Sequence, residues 1–165
     1  SISEYYCDYK KWEPIMDDTG KYFATPAVNL IWALQESLKI IKEEGIENRY
    51  ARHRKNARAF QAALEAMDLI PLAKAEVRAT TLSNPLYPEG VEDVAFRTKL
   101  EEKGVQVAGG LAAYAGKMFR IGHMGNADEH YLLSSLGAIE KVLFELKEDY
   151  EIGKGVTTFL KELMG

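Results

Sequence analysis

Three stretches of this chain place apolar residues at alternating spacings of four and three, and this constrains the fold more than any other feature. The first runs Ala27, Ile31, Leu34, Leu38, Ile41. The second runs Ile46, Tyr50, His53, Ala57, Phe60, Leu64, Met67, and the third Leu132, Leu136, Ile139, Leu143, Leu146. Each stripe lies on one face of an α-helix. Thr25-Pro26 reads as N-cap and first helical residue of the first helix, and Gly45 as its stop. Val28, Leu30 and Trp32 add apolar residues off the stripe, so this helix is expected to be buried.

Between the second and third helices the pattern shortens. Val77 to Leu82 is expected to be a strand, as are Val105-Gln106-Val107 and Met118-Phe119-Arg120-Ile121, with Gly122 ending the last. A short helix fits Val91 to Glu102, closed by Gly104. Asn126 with Glu129 resembles a capping box before the last long helix, and a further short helix fits the tail from Gly153. Residues 1–24 hold no long period and read as short strands or loop, with a turn at Asp17-Asp18-Thr19-Gly20. The expected fold is α/β, with long helices packed on a small mixed sheet.

Composition narrows the class. The chain has 165 residues, 47% of them hydrophobic, one cysteine and a formal net charge of −4. A globular chain of this size buries roughly 70% of its unfolded surface. One cysteine excludes an internal disulfide framework and a cysteine-based zinc cluster. The acidic balance argues against a general nucleic-acid binder. No apolar run reaches the ~18 residues that span a bilayer. Neither a signal nor a transit peptide opens the chain, and without an initiator Met it is expected to begin partway into a longer protein.

Few residues stand out for chemistry. Arg120 sits between Phe119 and Ile121 in a short strand. A guanidinium keeps its charge when buried, so it needs an anion, and carboxylates suit its planar fork. An internal salt bridge, an edge position in water and an external carboxylate all stay open. Thr25 at a helix start, three residues after Tyr22, could serve an anion such as phosphate or could be a plain N-cap. Gly109-Gly110 lacks the spacing of a phosphate fingerprint and reads as a turn. His53 lies on an apolar stripe and reads as a packed core residue. His123 and His130 could approach each other, yet no carboxylate pattern joins them into a metal site. Cys7 reads as buried filler. Arg49, Arg52, Arg54, Lys55 and Arg58 read as a solvated helix face.

Three stretches together resemble the class V aminotransferases, the alanine–glyoxylate and serine–pyruvate group. They are Lys21-Tyr22-Phe23-Ala24-Thr25-Pro26 leading into Asn29-Leu30-Ile31-Trp32-Ala33-Leu34; Glu44-Gly45-Ile46-Glu47-Asn48-Arg49 with Arg52-His53-Arg54; and Gly109-Gly110-Leu111 followed by Gly116-Lys117-Met118-Phe119-Arg120-Ile121-Gly122. The resemblance covers nearly the whole chain in order. It implies a fold-type I enzyme that uses pyridoxal 5'-phosphate and works as a cytoplasmic homodimer. It implies substrates that are a small L-amino acid and a 2-oxo acid such as glyoxylate or pyruvate, with no nucleic acid and no membrane. Tyr22 and Thr25 match the pair that reaches the cofactor phosphate of the neighbouring subunit. Arg120 matches the residue that clamps the substrate carboxylate.

The family's Schiff-base lysine lies well upstream of the Tyr/Thr motif, so the resemblance implies no catalytic residue within this chain. Residues 1–44 would then be the end of a large cofactor-binding domain with its linking helix, and 45–165 a C-terminal small domain. By itself the chain would be inactive. Two other readings stay open: a free-standing amino-acid-binding or dimerisation module, and another fold-type I enzyme such as a cysteine desulfurase.

Overall fold

The computed structural model describes residues 4–165, so Ser1-Ile2-Ser3 lie outside the described residues. The described residues form two compact units, 4–46 and 47–165.

The first unit departs from the expected strands and loop. Residues Tyr9–Asp17 form helix α1, started by Asp8, whose carboxylate accepts from the Lys10 N–H at 3.1 Å. Aromatic rings explain why this short helix holds. The Trp12 indole donates to the Tyr6 carbonyl at 2.7 Å, and its ring stands edge-on to Tyr6 and Phe23. Tyr5 packs on Phe23 and donates to its carbonyl at 2.9 Å. The aromatic residues therefore form one local cluster instead of a β-pattern. Cys7 is exposed, not buried filler, because the cluster closes without it.

Helix α2 spans Val28–Glu44 and so starts later than Thr25-Pro26 predicts. Its N-cap is Ala27, with no side-chain cap. Pro26 holds Thr25 out of the helical region, and its carbonyl accepts from the Val28 N–H at 2.8 Å in a turn that precedes the helix. Gly45, at φ 82°, ends α2 in the left-handed region that favours glycine. The expected burial of α2 is not met: it has no buried residue, and Trp32 and Leu30 are each 67% exposed. Its apolar residues have the pattern of a buried helix, yet among the described residues none of them is buried.

The second unit is a helix layer on a small sheet. In order it contains α3 (Ile46–Ala66), β1 (Leu82–Ser83), α4 (Asp93–Glu102), β2 (Ala108–Gly109), β3 (Phe119–Gly122), α5 (Glu129–Leu146) and α6 (Lys154–Met164). The sheet order is β1-β3-β2. Both ladders are antiparallel rather than mixed, pairing Leu82 with Gly122, Ser83 with Ile121, Ala108 with Arg120 and Gly109 with Phe119. Phe60 and Leu64 of α3, Phe96 and Leu100 of α4, and Leu132, Leu136, Ile139 and Leu143 of α5 meet Phe119 of β3 in one core. The α3 stripe is buried from His53 onward, while Ile46 and Tyr50 stay exposed.

The strands differ from expectation in detail. Residues 75–77 form a 3-10 turn, and pairing waits until Leu82. Val105 and Val107 pack against the core without pairing, so β2 begins at Ala108. The cap of α5 is Asp128, which accepts from the Tyr131 N–H at 2.8 Å, and not Asn126. Asn126 is occupied instead by the Arg49 guanidinium. Glu140 of α5 is buried and accepts from the N–H groups of Gly153, Gly155 and Val156 at 2.9, 2.6 and 3.2 Å. A carboxylate at a helix N-terminus meets both the unsatisfied donors and the positive end of the dipole, so Glu140 docks α6.

Candidate functional site

Arg120 lies in β3, the middle strand of the sheet. Alternation sends Phe119 and Ile121 into the core and leaves Arg120 partly buried on the opposite face. Its Nε donates to the Gly109 carbonyl at 2.9 Å. Among the described residues it makes no ion pair, so the internal salt bridge is absent and the terminal nitrogens have no carboxylate partner. A side chain anchored through Nε with its outer fork free can receive a planar anion.

The turn after β2 explains Gly110. Its N–H donates to the Met118 carbonyl at 2.9 Å, and a β-carbon there would collide with the Tyr114 backbone. Glycine is required at 110 by close approach, which keeps β2 beside Arg120.

Sequence reasoning missed a cluster below β2. The Asp93 carboxylate accepts from the Tyr87 hydroxyl at 2.8 Å and from Arg97 Nε and Nη2 at 3.0 and 2.8 Å. The Arg97 hydrogen bonds hold the Asp93 carboxyl below the usual carboxylate range, against the opposing effect of its burial. Burial and the Asp93 contact push the Tyr87 phenol far up, so it stays a donor. The i,i+4 spacing of Asp93 and Arg97 was a readable signal.

Tyr22 and Thr25 belong to the first unit. Both are exposed on an extended segment ahead of α2, and among the described residues neither hydroxyl has a hydrogen-bond partner. Two unspent hydroxyls and an α2 start without a side-chain cap are a donor set that suits a phosphate.

The remaining candidates resolve otherwise. His53 is a core residue, with Nδ1 and the Arg49 carbonyl 2.8 Å apart. His123 is buried, its Nε2 paired with Ser83 Oγ at 2.9 Å and its Nδ1 without a partner. Burial pushes the His123 imidazole down to about 4. His130 is exposed beside Glu129, apart from this buried pair. Among the described residues no group of His, Cys, Asp and Glu could hold a metal ion, and no helix is long and apolar enough to cross a membrane. The basic run is only partly a solvated face. Arg52 donates to the carbonyls of Ala127 and Gly125 at 2.9 and 3.0 Å, whereas Arg54 and Lys55 are exposed.

No family model matches the chain. An uncharacterized aminotransferase of Methanocaldococcus jannaschii is 42% identical over 164 residues, covering 96% of this chain and 42% of that protein. The serine–glyoxylate aminotransferase of Arabidopsis thaliana is 34% identical over 83% of this chain and 35% of its own length. The crystal structure of ureidoglycine–glyoxylate aminotransferase from Bacillus subtilis superposes with a TM-score of 0.88 and 27% identity, covering 96% of this chain and 41% of that one. The proteins this chain resembles are aminotransferases of the serine/alanine–glyoxylate type, class V. The chain spans about two fifths of the curated relatives it matches and corresponds to a C-terminal portion of them. Class V aminotransferases depend on pyridoxal phosphate, and hydroxyls without a partner, as Tyr22 and Thr25 carry, are of the donor type that a phosphate accepts from.

Proposed function

We propose that this chain works as the C-terminal part of an aminotransferase that moves an amino group between a small L-amino acid and a 2-oxo acid such as glyoxylate or pyruvate. The observation that carries this reading is the similarity to aminotransferases over nearly the whole chain, together with an Arg120 that has no acid partner. Arg120 binds the substrate carboxylate and orients the amino acid, so that the reacting bond is aligned before reaction. Tyr22 and Thr25 hold the cofactor phosphate of a neighbouring subunit in a homodimer. Pyridoxal phosphate supplies the electron sink for carbanion chemistry when bound. Residues 1–44 close the cofactor-binding domain and 45–165 form the small domain that brings Arg120.

The test is an amino-transfer assay on the full-length polypeptide that carries this sequence, with pyridoxal phosphate, alanine or serine as donor, and glyoxylate or pyruvate as acceptor. Turnover with at least one pair is expected. A purified polypeptide that takes up no pyridoxal phosphate and transfers no amino group contradicts the proposal and favours a binding or dimerisation module.

A further inference from the structure

The Tyr87–Asp93–Arg97 cluster is more elaborate than the core requires. Asp93 is 9% exposed and holds Arg97 through two parallel hydrogen bonds, while Tyr87 takes a third position on the same carboxylate. Such a pair contributes little net stability, because desolvation offsets the charge attraction. What it supplies is geometry: a planar guanidinium bonded at two points cannot turn.

The residue that lies against this guanidinium is Gly109. A β-carbon built there would stand 3.4 Å from Arg97 Nε and 3.5 Å from its Cζ. The Gly109 carbonyl is also the acceptor for Arg120 Nε at 2.9 Å. One residue of a two-residue edge strand therefore accepts from the Arg120 guanidinium and leaves just the room of a β-carbon beside that of Arg97. Strand pairing holds Gly109 from the β3 side, opposite Phe119, and the Arg97 side chain of α4 lies where a β-carbon on Gly109 would point. Aromatic packing keeps α4 under the sheet, with the Phe96 ring stacked on Phe119 at 5.0 Å.

We propose that Asp93, Arg97 and Tyr87 are positioning residues for Arg120. The ion pair holds the Arg97 plane under Gly109, and the Gly109 carbonyl then aims the Arg120 fork. This rests on the reading of Arg120 as the carboxylate-binding residue, which nothing else in the cluster presupposes.

The experiment follows the arginine Nε–H resonances of the 165-residue chain by NMR, measuring hydrogen exchange at Arg120 in Arg97→Met, Arg97→Lys and Lys99→Met. Lys99→Met removes a different α4 ion pair, to Glu145, without touching Gly109. In the unsubstituted chain Arg120 Nε–H should exchange about tenfold or more slower than that of exposed Arg54, as one retained hydrogen bond requires. Arg97→Met should bring it close to Arg54. Arg97→Lys, which keeps a charge for Asp93 but not the plane, should fall between, and Lys99→Met should leave it unchanged. Arg97→Lys decides the matter if Arg97→Met does not fold. Unchanged protection in the folded Arg97 variants, or equal loss in Lys99→Met, overturns the proposal. Titration with pyruvate on the same resonance tests the carboxylate reading separately: no shift at Arg120 counts against that reading, while the dependence on Arg97 stands by itself.

Discussion

Arg120 and His123 sit three residues apart and show how one short segment can treat two basic groups in opposite ways. Arg120 points away from the core, and among the described residues its outer nitrogens have no carboxylate partner. His123 is buried beside Phe60, with one ring nitrogen unpaired, and is held neutral. Its pKa is lowered to about 4, first by burial and further by nearby His53. The unfolded chain takes up a proton near the ordinary histidine value of about 6.5, which the folded chain refuses. Stability is therefore fully present above that value and falls as the pH drops toward 4, where the slope ends. Urea unfolding at pH 7 and pH 5 should show a loss of about 2 kcal/mol from this group. His123→Gln should remove most of that difference. An equal loss in the variant would mean that other groups carry the pH dependence.

At the scale of elements, the long helices and β3 were legible, whereas α1 and the two-residue strands were not. A stripe repeated over three or more turns survives any local accident, and α3 and α5 lie where their stripes put them. A strand of two residues cannot express a period of two, so β1 and β2 owe their places to β3 and not to their own sequences. The cap of α5 was misread because Asn126 and Asp128 both precede the helix, and only the fold shows that Arg49 engages the former. Glu140 had no signal at all, since its partners lie 13 to 16 residues later across a loop. The stripe of α2 predicted the helix correctly and its environment wrongly. In the 165-residue chain Leu34→Gln on α2, a residue 58% exposed, should change stability by less than about 0.5 kcal/mol. Leu136→Ala on α5, a residue fully buried, should cost about 2–5 kcal/mol. Chemical denaturation of both variants checks the contrast, and equal losses would show that α2 is covered after all.

At the scale of the whole molecule, the candidate residues are found in both units. Tyr22 and Thr25 stand in the first and Arg120 in the second. Each was named from the sequence because it interrupts a local pattern: hydroxyls ahead of an apolar helix, and a charge inside a strand. The roles proposed for them come only through resemblance, because no spacing along the chain connects residue 22 with residue 120. The supporting cluster of Tyr87, Asp93 and Arg97 stayed hidden for a related reason. Asp93 and Arg97 have the i,i+4 spacing of an ordinary surface helix pair, and only the fold brings Gly109 beside Arg97. The proposed role of Arg120 is to bind the substrate carboxylate of an aminotransferase. The most direct measurement is the KM for the amino donor in Arg120→Met and Arg120→Lys variants of the full-length holoenzyme. Loss of hydrogen bonds to a charged group should raise that KM by about tenfold or more in Arg120→Met, with a smaller rise in Arg120→Lys and no change in cofactor absorbance. An unchanged KM in both variants would contradict the account.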